Sequence, residues 1–251
     1  MRILISNDDG VSAEGIRELA HGMKALGDIY VVAPDRQRSA AGHGITLHKP
    51  LYVEEVDLGS GIRAYGVSGT PADCVKIGVN EIMKDTPPDL ILSGINQGSN
   101  LGNDVMYSGT VSAAIEGAIQ GYPSIAVSQC GYKNLDYGPA AAFTVKLVQE
   151  VLKQGLLPDT ILNVNVPELP ANEIKGHKIT SLGTRRYHQI YEKRLSPRGT
   201  PYYWLAGGLQ DLPNEAHTDI EATKDGYISV SPVHFDFTNH DLIDTIKQWN
   251  L

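Results

Sequence analysis

Between residues 2 and 167, short apolar runs alternate with helix-patterned stretches, and this alternation constrains the fold more tightly than any other feature of the chain. Residues 2–7 (RILISN) read as a buried strand. Residues 12–26 repeat Ile16, Leu19, Ala20, Met23 and Leu26 at helical spacing, with Ser12 as the expected N-cap and Gly27 as the stop. Residues 28–33 (DIYVVA) form the next strand, closed by Pro34. A strand–helix–strand unit of this length is the signature of a parallel sheet. Extended segments are expected at 44–57 and 62–67, joined by a turn at Gly59–Ser60–Gly61. A helix follows over 71–83, with Thr70 as N-cap and Pro71 at its first position. Strand 89–93 (DLILS), helix 108–120, strand 124–128, helix 138–154 and strand 160–166 complete the series. The expectation is an α/β fold: a doubly wound, mostly parallel, Rossmann-like sheet with helices on both faces.

Near residue 177 the texture changes. The segments HKITSLGTRRYHQIYEKRL, PYYWLAGG and GYISVSPVHFDF are rich in Tyr and Gly and lack helical periodicity. They predict a C-terminal β-hairpin arm, followed by a terminal helix at His240–Trp249 capped by Asn239. The expected organisation is a metal- and phosphate-binding core over 1–176. Residues 177–251 are then a β-rich oligomerisation arm plus a C-terminal helix packed on the core.

In an open parallel sheet, ligands bind beyond the carboxyl ends of the strands. Three segments fall there: Asn7–Asp8–Asp9–Gly10, Pro34–Asp35–Arg36–Gln37–Arg38–Ser39, and Gly94–Ile95–Asn96–Gln97–Gly98 running on to Asn103. All are rich in oxygen ligands and glycine. Asp8 and Asp9 are adjacent, and Gly10 lets the chain turn so that both carboxylates address one place. Two carboxylates held close repel unless a cation lies between them. Oxygen donors from Asp, Asn and Ser suit Mg²⁺ or Mn²⁺ rather than zinc. The alternative for an isolated NDDG is a helix cap plus a solvated turn residue. Asn96 is read as a neutral oxygen ligand or a phosphate donor. Gly94 and Gly98 would let backbone N–H groups approach an anion. Ser108–Gly109–Thr110 opens a helix, and free N–H groups there suit phosphate, although Ser108 also serves as a plain N-cap. Ser39 is ambiguous by itself, Arg36 and Arg38 are optional phosphate partners, and His43 is a weak acid–base candidate.

Several classes are excluded. Gly59–Ser60–Gly61–Ile62–Arg63–Ala64 matches a dinucleotide fingerprint but opens no helix, and neither a G-K-[ST] loop nor a GxSxG elbow is present. A formal net charge of −8 argues against long nucleic acids as partners. Cys74 and Cys130 form no metal or redox motif and read as reduced thiols. The N-terminal apolar run is too short for a signal peptide, and no stretch approaches the ~18 apolar residues of a membrane span. A cytoplasmic protein without a membrane partner is therefore expected.

The blocks NDDG (7–10), APDRQRSAAGH (33–43), GTPADCV (69–75), SGINQGSNLGNDVMYSGTVSAAIEG (93–117) and TDIEATKDGYISVSP (218–232) resemble the SurE, or survival protein E, family in order along nearly the whole chain. The resemblance implies a metal-dependent 5′/3′-nucleotidase on a Rossmann-like core, with some members also acting on short polyphosphate. It carries the family's metal ligands onto Asp8, Asp9, Ser39 and Asn96, one divalent ion per subunit, and so promotes Ser39. It implies a small nucleotide substrate. On the residues' own chemistry, Asn7, Gly94, Gly98, Ser108, Gly109 and Thr110 are expected about the phosphate, and Asp8, Asp9 and Asn96 are the expected catalytic residues. The resemblance also implies a homodimer or homotetramer built through the C-terminal arm. Ala40 departs from the pattern, because many relatives carry glycine there. Direct attack by water and an aspartyl-phosphate intermediate both remain open. A non-catalytic nucleotide-binding or sensing module is the rival reading; it has no need of two adjacent carboxylates.

Overall fold

The structure is a computed structural model that describes residues 1–133, 135–210 and 212–250. The segment 177–251 therefore includes two positions, 211 and 251, that lie outside the described residues.

Among the described residues, eleven strands and six α-helices follow in chain order: β1 (Arg2–Ser6), α1 (Glu14–Met23), β2 (Asp28–Pro34), β3 (Val53–Asp57), β4 (Arg63–Val67), α2 (Pro71–Ile77), β5 (Leu90–Gln97), α3 (Gly109–Ile119), β6 (Ser124–Gln129), α4 (Gly138–Gln154), β7 (Thr160–Val166), β8 (His177–Ile179), β9 (Arg186–Leu195), β10 (Pro201–Gln210), α5 (Asp219–Lys224), β11 (Ile228–His234) and α6 (His240–Ile246). Nine strands form one sheet in the order β3-β4-β2-β1-β5-β6-β7-β11-β8. The run from β4 to β7 is parallel throughout. β3 and β11 pair antiparallel at its two ends, on β4 and β7, and β8 pairs with β11. β9 and β10 stand apart as a two-stranded antiparallel ribbon. Two strands from beyond residue 177 thus extend the central sheet, while the Tyr-rich segment makes the ribbon.

Alternation along the central strands explains the layers. Ile3 and Ile5 face α1 and α4, packing with Ile16, Leu19, Ala140 and Val148. Leu4 faces the other way, with Cys74, Val75 and Val79 around α2 and Ala113 of α3. Ile3, Leu4 and Ile5 are all fully buried, each contributing about 1.5–3 kcal/mol by burial. A strand covered on both faces must be apolar throughout, which is why RILIS carries no polar alternation.

The structure departs from the sequence expectations in several details. α1 begins at Glu14 with Ala13 in the cap position and no side-chain cap, so Ser12 does not cap it. α2 ends at Ile77 and continues as a π-turn over Gly78–Ile82. Thr70 does cap it, sharing a capping box with Asp73. Residues 44–52 lie outside any strand. β5 runs on to Gln97, so Asn96 sits on a strand rather than in the loop after it. α5 lies in a stretch read as non-helical; it is only six residues long, too short to show a period.

The chain visits β1, β2 and β4 on one side, then returns past β1 to β5, β6 and β7. The topological switch point is therefore the crevice between β1 and β5, where a ligand site is expected.

Candidate active site

The Asn7–Asp8–Asp9–Gly10 turn occupies that crevice. Asn7 is fully buried and closes the turn: its Oδ1 accepts the Gly10 N–H at 3.1 Å and its Nδ2 donates to the Gly10 carbonyl at 3.0 Å. Gly10 takes φ +106, which a residue with a side chain rarely adopts. Asn7 thus shapes the turn and lines no part of the cavity beyond it.

That cavity, about 580 Å³, is lined by the buried Asp8, Asn96, Gly98 and Ser108 and by the exposed Ser39. Asp104, Tyr107, Tyr132, Tyr187, His188 and the largely exposed Leu205–Gly208 stretch of β10 also line it. Three of the four expected metal ligands share one space. Asp9 faces a neighbouring cavity with Glu14, Gln37 and Tyr137, and Gln97 borders both spaces. Its carboxylate is fixed by the Gln97 backbone N–H, which donates to Oδ2 at 3.0 Å. Among the described residues, no group of three or more His, Cys, Asp or Glu side chains is placed to share an ion. The candidate set holds two carboxylates, a hydroxyl and an amide.

The start of α3 is turned onto Asp8. The Thr110 hydroxyl donates to Asp8 Oδ1 in a short hydrogen bond. A Cβ at Gly109 would lie 2.7 Å from Asp8 Cβ and 2.9 Å from Oδ2, so only glycine admits the carboxylate here. The Ser108 hydroxyl accepts the Val111 N–H as an N-cap. Of the helix-start residues expected to hold phosphate, then, Ser108 borders the cavity while Gly109 and Thr110 hold Asp8 itself.

Burial pushes the Asp8 carboxyl up to about 6, and the charge of Asp9 adds to the rise; the Thr110 hydrogen bond opposes both. Burial also raises Asp9, against the Gln97 hydrogen bond. Neither carboxylate has a salt-bridge partner among the described residues.

Asn96 is aimed by an irregularity in its strand. The β5–β6 register shifts between Ser93 and Asn96, as in a bulge that re-aims a side chain. Gly94 within it has φ +139, and a Cβ there would fall 2.3 Å from the Val127 carbonyl oxygen. Asn96 Nδ2 donates to the Gly98 carbonyl at 2.8 Å, which leaves Oδ1 as the free atom. Among the described residues, no hydrogen bond engages that oxygen. Gly98 also has positive φ and lies under the Tyr132 ring, 2.7 Å from where a Cβ would be.

Ser39 Oγ accepts from Gln37 Nε2 at 2.8 Å. The following Ala40 takes φ +56, the left-handed region that favours glycine, at a cost of roughly 1 kcal/mol for an alanine. Arg36 and Arg38 pair with Asp35, and Arg38 also donates to the Ser68 carbonyl. His43 Nε2 meets Glu116 at 2.9 Å. None of the three reaches the cavity. The sequence does not single out Asp104, Tyr107 or Tyr132, whereas Tyr187 falls in the Tyr-rich C-terminal segment whose rings could stack on a base. The one legible signal for Asp104 and Tyr107 is position, since they fall between two glycine-rich segments that were read as phosphate contacts.

Replacing Thr110 by Val keeps the shape and removes the hydrogen bond to Asp8. A charged hydrogen bond contributes about 1.5–3 kcal/mol, so kcat/KM is expected to fall roughly ten- to a hundredfold, read by steady-state kinetics.

The fold and the cavity define an open-sheet α/β protein with a cavity at the switch point, built on an acidic turn, a bulged strand and a helix start. The family model for Survival protein SurE matches residues 3–189, and the chain belongs to that family. It is similar to the 5′-nucleotidase SurE of Heliobacterium modesticaldum, 52% identical over 99% of this chain and 92% of that protein. It is also similar to the 5′-nucleotidase SurE of Alkaliphilus metalliredigens, 49% identical over 100% and 99%. The crystal structure of the SurE protein from Aquifex aeolicus superposes with a TM-score of 0.86 at 44% identity, covering 98% of each chain.

Proposed function

We propose that this chain is a nucleotidase, a phosphoric monoester hydrolase acting on nucleoside 5′- and 3′-monophosphates with the help of one divalent cation per chain. The nucleotidase part draws on relatives named as such over nearly the full length. The cation part rests on one observation. Among the described residues, the cavity that would take a phosphate is lined by the Asp8 carboxylate, which has no salt-bridge partner, and by Asp104, which is paired with Arg185, and no Lys or Arg lines it. A phosphate dianion beside a buried carboxylate repels it by several kcal/mol at interior dielectric, so a cation is required between them. The donors fit a hard ion: carboxylate oxygens of Asp8 and Asp9, the free Oδ1 of Asn96 and the Ser39 hydroxyl. Asp9, which faces the adjoining space, would enter this set across the turn it shares with Asp8.

Bound there, Mg²⁺ or Mn²⁺ would neutralise phosphoryl oxygens and acidify a water molecule. The chain's own residues do the rest. Thr110 holds Asp8 in one orientation, and the Gln97 N–H does the same for Asp9. Ser108 borders the cavity at the helix start, where the positive end of the helix dipole favours an anion. The Tyr107, Tyr132 and Tyr187 rings offer surfaces for a nucleoside. Phosphate release from AMP, 3′-AMP and short polyphosphate, assayed with Mg²⁺ or Mn²⁺, is expected to fall to background with chelator and return when the ion is added back. Turnover that survives chelation contradicts the cation reading. Nucleotide binding without any phosphate release would instead support the non-catalytic module.

The ribbon supports an oligomer. Tyr187, Tyr191, Tyr203, Leu205 and Leu209 share one of its faces with Lys193 by register and are all exposed; Tyr187 and Leu205 also border the cavity, so a second copy on this face would lie beside the site. A mostly apolar ribbon face of this kind calls for a partner, and a second copy supplies it symmetrically. Light scattering is expected to give a dimer or tetramer, and Tyr191→Glu with Leu205→Glu to give monomers.

A further inference from the structure

We propose that Asp104 is a positioning residue that latches the β9–β10 ribbon to the core, and that the latched ribbon forms the wall against which the nucleoside part of the substrate binds. The binding half of this proposal rests on the nucleotidase reading; the latch half does not.

Asp104 lies in the 3-10 turn Gly102–Met106, between β5 and α3. Its Oδ2 accepts from Arg185 Nη1 at 2.8 Å and from the Tyr187 hydroxyl at 2.6 Å. Next to it, Asn103 Oδ1 accepts the Arg185 backbone N–H at 2.6 Å, and Arg185 Nη1 also reaches Ser99 Oγ at 3.4 Å. The ion pair is largely shielded, with side chains 17% and 12% exposed. A shielded, charge-assisted pair of this kind holds geometry far better than an exposed one.

The ribbon has little else to hold it. β9 and β10 pair with each other and with no strand of the nine-stranded sheet. An isolated two-stranded hairpin is marginal in water. Among the described residues, the side-chain hydrogen bonds joining 185–210 to the core all end on Ser99, Asn103 and Asp104. The same ribbon supplies Tyr187, His188 and the Leu205–Gly208 stretch to the cavity wall. The reacting phosphate belongs at the Asp8 end, so the ribbon meets the part of the substrate remote from phosphorus. Loosening the latch should therefore weaken binding without touching the bond-breaking step.

The test uses the full-length protein carrying Asp104→Asn and, separately, Tyr187→Phe, which deletes a single hydroxyl at the surface end of the latch. With a nucleoside monophosphate, KM is expected to rise about tenfold for Asp104→Asn and about threefold for Tyr187→Phe, with kcat changing no more than about twofold, the pattern of lost uniform binding. Amide hydrogen exchange over 186–210 is expected to speed up in both variants while exchange in β1 and β5 does not change. A fall in kcat with unchanged KM, or ribbon exchange identical to wild type, overturns the proposal. If Asp104→Asn does not fold, Tyr187→Phe decides it alone. Exchange needs no turnover, so a protein that released no phosphate from nucleotides would defeat the nucleotidase reading while leaving the latch to stand or fall on the ribbon amides.

Discussion

Asp8→Asn is expected to lower phosphate release from nucleotides by at least about a thousandfold, since it removes the cavity carboxylate that, among the described residues, has no salt-bridge partner; Asp104, the other carboxylate of the cavity, is paired with Arg185. The same substitution should make the cation-free protein more stable. Burial raises the folded-state pKa of Asp8 from 3.8 to about 6, so the folded chain binds this proton more tightly than the unfolded chain does. Below pH 4 the group is protonated in both states and costs nothing. As pH rises from about 4 to 6 the unfolded chain ionises first, and stability is lost across that window. Above pH 6 the loss is complete, about 3 kcal/mol at 1.36 kcal/mol per pKa unit. Asparagine carries no charge to bury, and its Oδ1 can still accept from Thr110. At pH 7.5, without divalent ions, Asp8→Asn should therefore melt above wild type. Added Mn²⁺ should close the gap by stabilising wild type alone. A variant that loses activity and also melts lower would mean that Asp8 is chiefly structural.

Gly94→Ala is expected to be the most damaging single methyl in the site. The backbone there has φ +139, and the added Cβ would meet the Val127 carbonyl oxygen at 2.3 Å. Val127 lies on β6, whose hydrogen bonds to β5 hold the sheet together, so relief must come from β5. The next strand residue to face the cavity is Asn96. We expect kcat to fall at least about a hundredfold, and the melting temperature to drop with a loss of several kcal/mol, because a clash and a left-handed alanine add. Gly155→Ala is the control: φ is positive there too, but nothing lies within 4 Å of the added methyl. With φ 76 and ψ 171, Gly155 sits in a region almost confined to glycine, so the alanine should cost about 1–3 kcal/mol, and activity should stay intact. Equal effects at the two glycines would show that backbone conformation, and not the approach of β6, sets the cost.

The central sheet was legible because each of its buried strands is a short apolar run ended by glycine, proline or an acidic turn, as in RILIS and DLILS. The convergence of Asp8, Ser39 and Asn96 was legible for the same reason, since strand ends of a parallel sheet share a rim. What happens inside that rim was not. The bulge that turns Asn96 inward depends on a register shift between two strands, and no local pattern announces it. Thr110 and Gly109 read as phosphate contacts because a helix start suits any anion. In the fold the anion they meet is the Asp8 carboxylate, 102 residues earlier. Asp104 and Arg185 are 81 residues apart and look like ordinary surface charges until the ribbon folds back. α5 escaped because six residues make too few turns to show an apolar stripe.

Direct titration of Mn²⁺ into the ion-free protein, followed by calorimetry or by the loss of the free-ion paramagnetic resonance signal, bears most sharply on the site. The predicted result is one ion per chain in wild type, with binding abolished by Asp8→Asn and strongly weakened by Asp9→Asn and Asn96→Ala. Binding of equal strength in wild type and Asp8→Asn would contradict it, as would nucleotide hydrolysis by a protein that holds no ion at all.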